Sequence, residues 1–277
     1  MAVSYVGVST AVTANNRNSA TANASKALTL PANIAAGDLL LLSVIALVPT
    51  STFSLPSQWQ KVDQGALPNN KGVYGLYWAR QGIDAGSISY SLPQYGIIYA
   101  RVLAYRGAST AYDPPWESYS SNDGDFTTNT NPYTGFKTPA VAANSAGSMV
   151  AAIATFWSNS GNTFTPPSGW TERLDASTSV NDYLVSYAAE SAASAAKTVP
   201  AASFAPSGSL GWGHVFTFSI FADGSAPGST APTKGSINVN VGGTWKQAQS
   251  LWVNSAGTWK QAQSVFTNVG GTWKQVL

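Results

Sequence analysis

Ala36-Gly37-Asp38-Leu39-Leu40-Leu41-Leu42-Ser43-Val44-Ile45 reads as a tight turn followed by a strand that is apolar on both faces. Gly37-Asp38 supplies the turn, and a short apolar run bounded by turn residues is the pattern of a fully buried central strand. About 110 residues later the pattern returns as Ala146-Gly147-Ser148 followed by Met149-Val150-Ala151-Ala152-Ile153. The echo then continues in the same order. Thr52-Phe53-Ser54-Leu55-Pro56-Ser57-Gln58-Trp59 returns as Thr163-Phe164-Thr165-Pro166-Pro167-Ser168-Gly169-Trp170. Tyr77-Trp78-Ala79 is answered by Tyr187-Ala188-Ala189, and Val102-Leu103-Ala104-Tyr105 by Phe216-Thr217-Phe218-Ser219-Ile220. Ordered anchors of this kind mark an internal duplication.

Between the anchors lie short runs rich in β-branched and aromatic residues, separated by Gly, Pro, Asn and Ser clusters. That spacing predicts an all-β chain of two tandem antiparallel β-sandwich domains, at residues 1–110 and 111–222. Trp59 and Trp170, each behind a Pro-Ser bend, are read as core or sheet-edge plugs. Residues 223–236, rich in Pro, Gly, Ser and Thr, have nothing to bury and are read as a flexible linker.

Residues 237–277 contain three 14-residue units in register. Trp245, Trp259 and Trp273 coincide, as do Lys246, Lys260 and Lys274, and Asn240, Asn254 and Asn268. Each unit is expected to form a β-hairpin, with Asn and Gly supplying the positive φ of its loop. A lone hairpin is marginal in water, so stacking of the units, together with those of neighbouring chains, is the expected way to bury the aromatics. A homo-oligomer follows, with a trimer favoured. The tail also holds three Lys and no Asp, Glu or Arg. Trp245, Lys246, Trp259, Lys260, Trp273 and Lys274 are therefore candidate glycan or assembly contacts, with tryptophan as core and lysine as solvated surface the weightier reading.

Charged residues are 9% of the sequence, and 14 Lys and Arg against 12 Asp and Glu leave a net charge of +2. No global field recruits nucleic acid or an anionic membrane. The chain has no cysteine, so disulfides, thiolate zinc sites and cysteine nucleophiles are excluded. Its most apolar run, residues 39–48, is too short to cross a bilayer as a helix, so no membrane insertion is expected. The first residues carry neither a basic segment nor an apolar one, so no secretory signal is expected. A neutral polar surface without an export signal suits a virion component released by lysis.

Chemistry-bearing motifs are sparse. His214 is the only histidine, placed at the start of a strand, and is read as a satisfied or exposed structural residue rather than a general base. Asn122-Asp123-Gly124-Asp125 resembles part of an oxygen-ligand loop but lacks the spaced carboxylates of a calcium site. Asp113, Glu117, Glu172 and Glu190 are the conceivable glycosidase acids, and none lies in a motif. No phosphate-binding glycine loop occurs. No catalytic residue, metal or cofactor is expected.

The tandem Ala-Gly-Asp turn before a hydrophobic run, Pro167-Ser168-Gly169-Trp170-Thr171 and Ala104-Tyr105-Arg106-Gly107 resemble paired jelly-roll-like β-sandwich domains of tailed-bacteriophage structural proteins and of some bacterial surface proteins. The Gly-Thr-Trp-Lys units at 243–246, 257–260 and 271–274 resemble repeats that end phage minor tail and tail-fibre proteins. Gln58 and Ser148 depart from the pattern, and both turns tolerate them. The resemblance implies a non-enzymatic virion protein of a tail fibre or tail tip that takes part in host attachment. Its implied partners are other virion proteins and a host cell-surface glycan. A capsid or baseplate decoration protein without receptor binding, and a bacterial adhesin or carbohydrate-binding module, remain open alternatives.

Overall fold

The computed structural model describes residues 2–16, 20–82, 85–111, 114–125, 136–143, 148–158, 161–177, 183–192, 197–199, 203–207 and 210–222. In the tail it describes the backbone of 238–241, 244–247, 252–255, 258–261, 266–269 and 272–275. The chain is all-β, and every strand pairing among the described residues is antiparallel. Among the described residues the one helical element is a 3₁₀ turn at Pro68–Asn70.

The first module contains β1 (Ser4–Val8), β2 (Val12–Asn16), β3 (Thr21–Ala27), β4 (Leu39–Leu47), β5 (Thr52–Ser54), β6 (Gln60–Ala66), β7 (Gly72–Arg80), β8 (Ser87–Pro93) and β9 (Gly96–Arg106). Its large sheet runs β1-β9-β4-β7-β6, with β2 also on β9, and its small sheet runs β3-β8-β5. Every residue of β4 is buried, which is why Leu39–Leu47 is apolar without alternation. β8, by contrast, alternates: Ile88, Tyr90 and Leu92 face inward while Ser89 is exposed. Leu40, Leu42, Val44 and Ala46 meet Phe53, Trp59, Ile88, Tyr90 and Leu92 in the core of this sandwich. The Trp59 indole N–H donates to the Ala85 carbonyl oxygen at 3.0 Å, so the plug's polar edge is satisfied.

The second module contains β10 (Trp116–Asp125), β11 (Phe136–Lys137), β12 (Val141–Ala143), β13 (Met149–Ser158), β14 (Phe164–Thr165), β15 (Thr171–Ser177), β16 (Tyr183–Ala192), β17 (Lys197–Val199), β18 (Ser203–Pro206) and β19 (Leu210–Ile220). Its large sheet, β10-β19-β13-β16-β15, repeats the order of the first, and its smaller layer is split into β11-β18-β14 and β12-β17. The sequence anchors occupy matching places: Leu39 pairs with Tyr105 on β9, and Met149 with Ile220 on β19. Trp170 is half-buried rather than enclosed and packs edge-on against Phe204 at 5.4 Å. Asn122–Asp125 form no loop; they are the end of β10, laddered to β19 with Asp123 opposite His214 and Asp125 opposite Trp212.

The two large sheets pack against each other through like faces. Leu39, Leu41, Leu76, Trp78, Leu103 and Tyr105 share one cluster with Ala151, Ile153, Ala188, Phe216, Phe218 and Ile220. The result is a stack of small sheet, large sheet, large sheet and small sheet. Within this central layer the Ser43 and Thr155 hydroxyls meet at 3.0 Å, and Tyr74 stacks on His214 with ring centroids 3.6 Å apart. Arg173 and Glu190 form an ion pair at 2.8 Å with the glutamate buried. Burial raises the Glu190 pKa, and the hydrogen bond and charge of Arg173 act against that rise.

The tail forms three hairpins: β20 (Asn238–Val241) with β21 (Thr244–Gln247), β22 (Trp252–Ser255) with β23 (Thr258–Gln261), and β24 (Phe266–Val269) with β25 (Thr272–Gln275). Register is the same in all three, with Asn240, Asn254 and Asn268 opposite Trp245, Trp259 and Trp273. The asparagines are thus strand residues, not loop residues. Val241 pairs with Thr244, so two residues separate the strands, the spacing that favours Gly-Gly or Ala-Gly there.

Candidate functional site

The six tail contacts expected from sequence lie on β21, β23 and β25, on the C-terminal strand of each hairpin. The backbone repeats them identically, and their side chains lie outside the described residues. Asp113 and the Glu117 side chain lie outside them as well. Glu190 is committed to Arg173. Glu172 is solvent-exposed, and partial desolvation together with the Asp175 charge raises its pKa. Among the described residues no group of three His, Cys, Asp or Glu could hold a metal ion.

Strand polarity gives the body two unlike ends. Ser4 pairs with Arg106 and Trp116 with Ile220, so the chain enters and leaves both modules at the same end. There Ala108 bridges Ala222, and the Ser109 amide donates to the Phe221 carbonyl oxygen at 2.9 Å. The path to the tail therefore starts at that end. At the opposite end β2, β4, β6 and β8 of the first module finish and β3, β5, β7 and β9 begin, and in the second β13 finishes and β19 begins.

Four of the five left-handed non-glycine residues among those described sit at this loop end: Val48 at φ 77°, Asn69 at 55°, Asn70 at 56° and Tyr95 at 66°. Asparagine tolerates that conformation, whereas a β-branched or aromatic residue pays for it in strain. Neighbouring hydrogen bonds hold both strained residues. The Val48 amide donates to the Lys71 carbonyl oxygen at 2.9 Å, and the Tyr95 amide to the Asn16 carbonyl oxygen at 2.6 Å. The Asn16 amide group in turn donates to the Leu92 carbonyl oxygen at 2.8 Å, tying β2 to the end of β8. Tyr95 is 66% exposed, the larger of the two large-apolar exposures among the described residues.

On the outer face of the small sheet lies an open groove of about 610 Å³. Asn23, Ser91 and Thr52 stand in one row across β3, β8 and β5, and Ser25, Ser89 and Ser54 in the next. The groove is lined by Asn23, Thr52, Ser54, Ser89 and Ser91, with Ala24, Phe53 and Tyr90 between them in the rows, and no charged residue is among them. Across the molecule, where the two modules meet at the loop end, Trp157 stacks on Trp212 at 4.7 Å and the Lys71 ammonium lies 4.8 Å from the Trp212 ring.

His214 lies within β19 rather than at its start. It is 3% exposed, and neither ring nitrogen has a hydrogen-bond partner within the protein. Burial pulls its pKa down to about 3, so the ring is neutral and is not a general base poised near neutrality. Sequence reasoning missed Tyr95 and the groove. The available signals were an aromatic at the tip of Pro93-Gln94-Tyr95-Gly96 and the alternating serines 87, 89 and 91.

Comparison with protein-family models, with curated proteins and with solved structures finds no match for this chain.

Proposed function

We propose that the chain is a non-enzymatic structural protein of a bacteriophage particle, part of a tail fibre or tail tip, that takes part in host attachment. The observation that carries this reading is the polarity of the body: the path to the repeat tail leaves from one end, and strained loops with an exposed aromatic crown the other. A fibre component needs an assembly end and a presenting end, and loops on a rigid scaffold suit the second task. The three hairpins serve the first. Each is marginal alone, so the tail is read as the element that joins copies of the chain, three in number, and seats them among other virion proteins. Among the candidate acids, Glu190 is held in an ion pair with Arg173, which favours a non-catalytic reading of that residue.

Imaging particles labelled with an antibody against residues 1–222 tests the assignment. Label at the tail is expected. Label over the capsid lattice would replace attachment with decoration, and label on a bacterial surface instead of a particle would favour an adhesin. In solution, the full chain is expected to scatter light as three copies, and a chain ending at residue 222 as one.

A further inference from the structure

We propose that the free edge of β10 is the docking site for β21, the lysine-bearing strand of a neighbouring copy's first tail hairpin, which adds to the sheet as a further strand. The inference rests on the reading of the tail as the element that joins copies, and names the surface that receives it.

An unpaired strand edge is a template for another strand, and proteins that leave one unused blunt it with bulges, breaks or lysine. The other edges of the two large sheets are blunted in this way. β6 shifts register between Lys61 and Asp63, which leaves only Asp63–Ala66 in unbroken ladder beyond it. β15 shifts between Glu172 and Leu174, which leaves Leu174–Ser177. The place that β10 takes in the second module is filled in the first by two short pieces, β1 and β2, and β1 is itself shifted between Tyr5 and Gly7. The Lys26 ammonium donates to the Thr13 carbonyl oxygen of β2. β10 is different. Its shift falls at its first residues, between Trp116 and Ser118, and from Ser118 to Asp125 it runs unbroken along β19. Among the described residues β19 is the strand it pairs with, so its other edge is open to a partner. Tyr119 on this strand is 42% exposed, although its ring stacks on Phe218 at 6.0 Å.

Charge decides which strand it takes. β10 contains Glu117, Asp123 and Asp125 and no Lys or Arg. A second β10 is disfavoured as the partner. Antiparallel pairing centred on Ser121 would set Glu117 opposite Asp125, and pairing centred on Ser120 would set it opposite Asp123, like charges across a ladder. The tail is the complement, with three Lys and no acid in residues 237–277. Within the chain its first hairpin is a two-stranded sheet, so β21, Thr244-Trp245-Lys246-Gln247, has β20 on one side and a second edge to offer. Joining β10 brings Lys246 to the acids and gives a marginal hairpin a wide sheet to lean on. Reach allows the exchange. The path to the tail leaves the body beside β10, where the Phe221 amide donates to the Pro115 carbonyl oxygen at 3.0 Å. Residues 223–236 can span up to about 50 Å, against about 34 Å for the length of β10. Each copy can therefore give a hairpin to one neighbour and receive one from another, a head-to-tail contact that closes as a ring.

The test uses the full chain, with light-isotope and heavy-isotope copies refolded together in equal amounts, joined by a zero-length carbodiimide cross-linker and read by mass spectrometry. Links from Lys246 to Asp123 or Asp125 are expected, about half of them between a light and a heavy copy. Asp123→Lys with Asp125→Lys should raise the concentration needed for assembly, followed by light scattering, at least about tenfold. Adding Lys246→Glu to that pair should restore assembly, which damage to the fold of β10 would not permit. Links only within single copies would show the chain's own tail on β10 and overturn the proposal. So would links confined to Lys260 or Lys274, assembly unchanged by the charge reversal, or no recovery in the triple variant. A three-copy mass that survives the reversal would leave joining by the tail standing and remove β10 as its seat. A parent chain of one-copy mass would remove both.

Discussion

His214 shows how much a single buried titratable group costs this fold. Its ring is sandwiched between Tyr74 and Phe216, and neither nitrogen is paired within the protein, so the folded chain resists the proton until about pH 3. The unfolded chain takes that proton from about pH 6.5 downward. A depressed folded-state pKa on a base means that stability present above pH 6.5 is lost progressively as pH falls to about 3. The full span is worth about 5 kcal/mol, at about 1.4 kcal/mol for each pH unit between the two pKa values. Urea unfolding of the parent at pH 4.5 should therefore give a stability about 3 kcal/mol below that at pH 7 from this group. His214→Phe should remove that share of the slope. Gly213, the next residue toward the loop end, is limited by contact instead. A Cβ there would overlap the Phe156 ring and approach the Thr155 carbonyl oxygen at 2.7 Å. Backbone on one side cannot yield, so Gly213→Ala should cost about 3 kcal/mol in denaturant unfolding.

At the scale of elements, the central layer joins two strands that each have no free face. β4 is buried along its whole length, and β13 is buried except at Met149 and Trp157, which are half-buried. The Ser43–Thr155 contact is a polar pair in this apolar layer, so its members depend on each other. Ser43→Ala alone should cost about 1–3 kcal/mol, because it leaves the Thr155 hydroxyl buried without that partner. Ser43→Ala combined with Thr155→Val should recover most of the loss, a coupling that a double-mutant cycle measures. The strands themselves were legible because a short apolar run such as Leu39–Leu47, bounded by turn residues, fits a doubly covered strand. Asn122–Asp125 was not, since turn-forming residues were overridden by a ladder to a distant strand, β19. The groove was equally hidden: serines on β8 become a surface only through register with β3 and β5. Tyr95 was hidden because its left-handed backbone is imposed by Asn16, from a strand far away in sequence.

For the whole molecule, the shared central layer implies that the two modules are not independent. Separation would expose Leu41, Trp78, Leu103 and Tyr105 on one side and Ile153, Phe216 and Phe218 on the other. Patches of that kind are rarely left open on a soluble monomer. Residues 1–222 should accordingly unfold in one transition, with tryptophan fluorescence and far-ultraviolet circular dichroism coinciding. Residues 1–110 expressed alone should pair through the same face, giving twice the fragment mass in light scattering. The duplication was legible from the ordered anchors, but the face that joins its halves was not. That face draws on alternate residues of β4 and β13, whose other residues are just as apolar.

The bridge between Ala108 and Ala222 carries one more implication. It fastens the exit of the first module to the exit of the second, at the end where β1 and β10 begin. Module order along the polypeptide is therefore a matter of which short connection is cut. A circular permutant that starts at residue 114, runs to 222 and continues through a glycine-serine joint into residue 2 should fold to the same four-layer stack, with a circular dichroism spectrum matching that of residues 1–222.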